Sequence, residues 1–121
     1  MSIIKKSALT SIKFAKLAAQ FASDKKAEDV LILDMRKCVN FCDFFVLCSG
    51  SSTTQVRAIA DGITESLKEM DINIPPHRCY ADSEWNILDF GDVVIHSFER
   101  KMREFYKLEY LWQAAKKVNW P

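Results

Sequence analysis

The sequence predicts a single α/β domain, a mixed sheet of about five strands packed with helices. Three observations lead there. Phe44-Phe45-Val46-Leu47-Cys48 is an unbroken apolar run, read as a strand buried on both faces. Ser49-Gly50-Ser51-Ser52 ends it, and Ser52 with Gln55 has capping-box spacing, so a helix starts there. Inside that helix Val56, Ile59, Ala60, Ile63, Leu67 and Met70 form one apolar stripe suited to lie on a sheet. At 121 residues one domain is expected, with enough buried surface for a core without disulfides.

Taken in order, residues 1–23 contain no acid and four lysines, Lys5, Lys6, Lys13 and Lys16. Phe14, Leu17, Ala18 and Phe21 share a helical face, which predicts a helix over 7–23 with a solvated lysine side. A transit peptide would favour Arg, absent here, so a packing helix is the better reading. The core spans 28–112. Val30-Leu31-Ile32-Leu33-Asp34-Met35 reads as a strand, joined to the next by a link too short for a crossover helix. The two are therefore expected to be antiparallel neighbours. Pro75-Pro76 stops the central helix, and His77-Arg78-Cys79-Tyr80 reads as a short strand near an edge. Trp85–Asp89 and Asp92–Phe98 form a hairpin around Gly91, which supplies the positive φ of a tight turn. Alternation puts Trp85, Ile87 and Asp89 on one face and Asn86, Leu88 and Phe90 on the other. From Glu99 to Trp112 the pattern is helical, with Met102, Phe105, Leu108, Leu111 and Trp112 apolar; the tail 113–121 is expected to fray.

Composition excludes more than it selects. A net charge of +1, from 17 basic and 16 acidic residues, is far from that of a sequence-blind nucleic-acid binder. Cys38, Cys42, Cys48 and Cys79 lack the paired short spacings of structural zinc, so no metal and no cofactor is expected. Without a secretory segment or a membrane-length run, the expectation is a cytoplasmic protein with reduced thiols. Asp89-Phe90-Gly91 copies a kinase magnesium tripeptide by chance, with no other kinase motif present. His77 has no nucleophile tied to it, and His96, between Val94 and Phe98 on an apolar face, reads as a satisfied core histidine. Gly50-Ser51 between strand and helix is similar to the opening motif of nucleotidyltransferases. Those enzymes follow it with two metal-binding carboxylates one residue apart, and no strand here carries such a pair. Trp85, after the polar stretch Ala81-Asp82-Ser83-Glu84, is either a core cap or an exposed anchor for a protein partner.

Four blocks in order carry a resemblance. They are Asp43 to Ser52, Gln55 to Asp61, Trp85 to His96 with Leu88-Asp89-Phe90-Gly91-Asp92, and Arg103-Glu104-Phe105-Tyr106 through Trp112. From about Ala15 to Trp112 the chain resembles the ribosomal silencing factors, also called Iojap. The resemblance implies a nucleotidyltransferase-like fold without catalysis. It implies binding to the large ribosomal subunit through ribosomal protein fourteen, steric blocking of subunit joining, and damped translation in nutrient shortage. On it, the partner-contact candidates are Trp85, Ile87, Asp89, Arg78 and Tyr106, with a homodimer expected for the free protein. The chain departs from the family pattern at Arg78-Cys79, where Glu-Gly is common, and at Asn86 and Ser97, where aliphatics are usual. A divergent nucleotidyltransferase and a dimeric adaptor using its aromatic C-terminal region are the competing readings.

Overall fold

In the computed structural model, which describes residues 10–107, 110 and 113–120, the chain order is α1 (Ser11–Asp24), β1 (Glu28–Asp34), β2 (Phe44–Gly50), α2 (Thr53–Glu69), a 3₁₀ turn (Pro76–Arg78), β3 (Cys79–Ala81), β4 (Trp85–Asp89), β5 (Val93–Glu99), α3 (Arg100–Tyr106) and β6 (Lys116–Val118). One sheet of six strands has the order β3-β4-β5-β2-β1-β6. The fully buried run at Phe44 is a central strand. It pairs antiparallel with β1, Asp34 opposite Phe44, and parallel with β5, Phe44 opposite Val93 through Gly50 opposite Glu99. The antiparallel β1–β2 neighbours and the β4–β5 hairpin are as the sequence implies.

Both long helices lie on one face of the sheet. Phe14, Ala15, Ala18 and Ala22 of α1 and Ile59, Ile63 and Leu67 of α2 pack with Ile32, Val46, Cys48, Leu88 and Ile95. The expected α2 stripe is the buried one, but α1 is rotated relative to its expected face. Its alanines are buried while Leu17 and Phe21 are only half-buried; small side chains let this helix lie close to the sheet. The first residues of the expected helix, 7–9, lie outside the described residues. On the opposite face Leu33, Met35, Cys42, Phe45, Leu47, Val94 and Phe98 form a second, smaller core.

At the strand-to-helix turn, Ser52 Oγ accepts from Gln55 N–H at 3.2 Å. The Gln55 carboxamide reaches one residue further back than a capping box needs, accepting from Ser51 N–H at 2.7 Å. A Cβ on Gly50 would lie 2.9 Å from Val56 N, so glycine lets the strand end meet the helix. At the hairpin Gly91 has φ 88°, and its N–H donates to Asp89 Oδ1 at 2.8 Å. A β-branched residue is strained there, so Gly91→Val should lower stability by about 1–3 kcal/mol. Thermal melting checks this; an unchanged Tm would mean that the turn tolerates the strain.

Two sequence expectations are corrected. The tail does not fray through its whole length. Lys116–Val118 adds a sixth strand, with Ile32 opposite Val118, and Trp120 Nε1 donates to Val30 O at 3.2 Å. Those bonds to β1 hold it, and its own composition gave no strand signal. The helix expected from Glu99 to Trp112 is broken at Lys107 rather than continuous, and Tyr110 is again helical. α3 ends at Tyr106, and Lys107 turns left-handed with φ 48°; Leu108, Glu109, Leu111 and Trp112 lie outside the described residues. Within α3 the apolar residue Phe105 is 78% exposed, whereas Arg103 is only 6% exposed. Arg103 Nη1 donates to Asp29 O and Ser49 Oγ, each at 2.8 Å, so the buried charge has acceptors from β1 and β2.

Candidate protein-binding site

Four of the five candidate residues come together at the β3–β4 edge of the sheet, on the face away from α1 and α2. Trp85 and Ile87 alternate outward along β4, both half-buried. Trp85 lies opposite Phe98 and its ring is 5.0 Å from that of Phe98. Ile87 sits between His96 on β5 and Tyr80 on β3. Asp89 ends the strand, where Arg78 forms an ion pair with it at 3.4 Å. Asp89 Oδ1 also accepts from the Gly91 N–H of the hairpin. Tyr106 is not placed with them: it closes α3, and its side chain lies outside the described residues.

Trp85 is both a packing residue and a surface one. Its Nε1 donates to His96 Nδ1 at 3.1 Å, which fixes the indole against the sheet and leaves part of the ring in solvent. His96 itself is corrected in one respect. Its ring is buried, 4.7 Å from that of Phe45 and stacked at 5.7 Å on Phe98, but only Nδ1 has a partner. Nε2 is buried without one. Accepting at Nδ1 puts the proton of the neutral ring on Nε2, and burial pulls the imidazole pKa down to about 4.

Tyr80 and Phe41 escaped the sequence reading. Tyr80, 56% exposed, is the direct cross-strand neighbour of Ile87. Phe41, 62% exposed, has its ring 6.3 Å from that of Phe45 on the same face. The signal for Tyr80 was present, since an edge strand next to β4 must put alternate residues beside Ile87; Phe41 sits in a link whose conformation no pattern announces.

The chemistry available elsewhere is sparse. Cys48 is fully buried and its thiol is pushed up to about 12 by burial; Cys42 is raised to about 11 for the same reason. Neither is a thiolate near neutral pH. Among the described residues no three His, Cys, Asp or Glu side chains gather as metal ligands. Around Gly50-Ser51, the carboxylate of Glu28 is engaged by Arg100 at 2.7 Å. Asp34 binds Arg36, whose hydrogen bonds hold the carboxyl below its usual range. No helix among the described residues is long and apolar enough to cross a membrane.

The family model described as "Ribosomal silencing factor during starvation" matches residues 8–121. The ribosomal silencing factor of Bacillus subtilis is 40% identical over 100 residues, covering 83% of this chain and 85% of that one. The chloroplastic Iojap protein of Arabidopsis thaliana is 34% identical over 111 residues, 92% of this chain but 46% of the longer plant protein. A crystal structure of a Bacillus halodurans protein superposes with a TM-score of 0.76 at 36% identity, over 89% of this chain and 98% of that one. On the strength of a family match across nearly its whole length and of this fold, the chain belongs to the ribosomal silencing factor family.

Proposed function

We propose that the protein binds the large ribosomal subunit through ribosomal protein fourteen and, by occupying that surface, prevents the small subunit from joining. Translation is thereby restrained when nutrients are scarce, in the cytoplasm. The observation that carries this reading is the row Trp85–Ile87–Tyr80. It is a partly exposed aromatic and aliphatic strip on a sheet face that neither long helix covers, edged by the Arg78–Asp89 ion pair. An apolar centre with a charged rim is the anatomy of a protein interface, and Trp is enriched among its anchors. In the free protein the same strip is available to a second copy, which is the basis of the expected homodimer.

No reaction is needed. A factor present at 100 times its dissociation constant opposes joining by about 2.7 kcal/mol through mass action alone. We accordingly read the chain as a non-enzyme: Glu28, opposite Ser49, is taken up by Arg100, and among the described residues no three His, Cys, Asp or Glu side chains gather to hold a cation.

Sucrose-gradient sedimentation of separated subunits tests the reading. Added protein should comigrate with large subunits and deplete the joined ribosome peak, while labelled nucleotides incubated with the protein and magnesium yield no product. Joining that proceeds unchanged at saturating protein, or robust nucleotide incorporation, would overturn it.

A further inference from the structure

His96 Nε2 is the one buried side-chain nitrogen or oxygen among the described residues without a hydrogen-bond partner. The residue is only 8% exposed. It lies opposite Ile87 on β4 and Leu47 on β2, on the sheet face that neither long helix covers. Its neighbours along that face of β5 are Val94 and Phe98, both apolar. A buried N–H without an acceptor destabilises the free protein, so its presence on this face needs a reason.

The other ring nitrogen sets the direction of this N–H. Nδ1 accepts from the indole of Trp85, a residue of β4. Nε2–H is therefore directed away from Trp85, across the ring. The strand order β4-β5-β2 puts Trp85 on one flank of β5 and Phe45 on the other. Phe45 offers no oxygen there. Its ring is 4.7 Å away, tilted by 62°, and gives at most a weak N–H···π contact. Phe98 stacks on the imidazole at an angle of 6°, so Trp85 and Phe98 together hold the ring in one orientation. Ile87 is half-buried, and Phe41, beyond Phe45, is exposed. An incoming group therefore has to displace side chains and neither long helix. The donor is uncharged near neutral pH, because burial keeps the ring neutral. A carboxylate would lose its hydration against a single neutral N–H among apolar groups, whereas a peptide carbonyl is neutral and accepts well.

We propose that His96 Nε2–H is the polar anchor of the protein-binding strip, and that a main-chain carbonyl of ribosomal protein fourteen, carried between apolar side chains, accepts from it in the complex. This rests on the ribosome-binding reading and adds the group that fixes the partner's register. Trp85, Ile87 and Tyr80 supply area, and His96 supplies direction. The fold has already stripped water from this donor, so the new bond gives a larger net gain than an exposed donor would.

The test uses the full chain, ¹⁵N-labelled at its two histidines, and isolated ribosomal protein fourteen. On binding, the His96 Nε2–H proton should move downfield and exchange more slowly with water. Variants are made in a Trp85→Phe background, which has no indole N–H to strand. There His96→Phe should keep or raise Tm and weaken binding about tenfold, the effect of one lost hydrogen bond. His96→Gln, whose terminal amide reaches the Nε2 position, should bind more tightly than His96→Asn, whose amide reaches only the Nδ1 position. That pair keeps the test decisive should His96→Phe misfold. In a parent that binds, an unmoved Nε2–H overturns this inference alone. So does a folded His96→Phe that binds within about threefold of its background. Equal binding by His96→Gln and His96→Asn has the same consequence. A parent that does not bind ribosomal protein fourteen overturns this inference and the ribosome-binding reading together.

Discussion

Trp85→Ala should leave a folded, monodisperse protein that no longer cosediments with large subunits. The indole covers Phe98 and is fixed by His96, so truncation loses some packing. It lies at an edge, however, with part of its ring in solvent, and neither long helix rests on it. The loss of stability should therefore be modest beside the loss of binding. An interface Trp that acts as an anchor costs roughly 2 kcal/mol or more on truncation, about thirtyfold in affinity. Trp85→Phe separates the two contributions: it keeps the aromatic packing and loses only the N–H. Retention of ribosome binding by Trp85→Ala, with Kd within about threefold of the parent, would move the anchor elsewhere on this face, with Tyr80 next to be changed.

The second large effect is on stability against pH. His96 has a folded pKa of about 4, against about 6.5 in an unfolded chain. Between those values the unfolded chain takes up a proton that the folded one refuses. Stability contributed by the neutral ring is thus complete above pH 6.5 and is drawn down as pH falls toward 4, by about 3 kcal/mol in all. Geometry explains the resistance. The added proton would sit on Nδ1 and point at the N–H of Trp85, replacing a hydrogen bond by two opposed donors. His96→Phe should flatten the fall in Tm between pH 6.5 and 4.5. If parent and variant lose stability in parallel over that range, carboxylates and not His96 govern the acid response.

The sequence made the middle of the fold legible and left its margins obscure, for physical reasons. β2 and α2 were readable because five consecutive apolar residues and a 3.6-residue stripe are produced by burial itself, and because Ser52 marks the boundary. The hairpin was readable because Gly91 takes a backbone conformation that other residues resist. β6 was not, since Lys116-Lys117-Val118 has one apolar residue and becomes a strand only because β1 offers an open edge. Nor was burial of Arg103, whose acceptors Asp29 and Ser49 are more than fifty positions away in sequence. The site was half legible. Alternation put Trp85, Ile87 and Asp89 on one face, but the Trp85–His96 bond and the Arg78–Asp89 pair depend on register across strands, which the residue pattern of one strand does not disclose.

The placing of β6 beside β1 bears on how the chain is made. The strand formed first waits for the one formed last, with about 80 residues between them. At ordinary synthesis rates of 5–20 residues per second that delay is roughly 4–16 s. During it the outer edge of β1 has unmet backbone groups, the kind of edge on which nascent chains pair with one another. Glu28, Asp29 and Asp34 flank its apolar centre and act as charged gatekeepers over that interval. A chain that stopped before Lys116 would keep the open edge permanently, and its characteristic failure would be aggregation after synthesis.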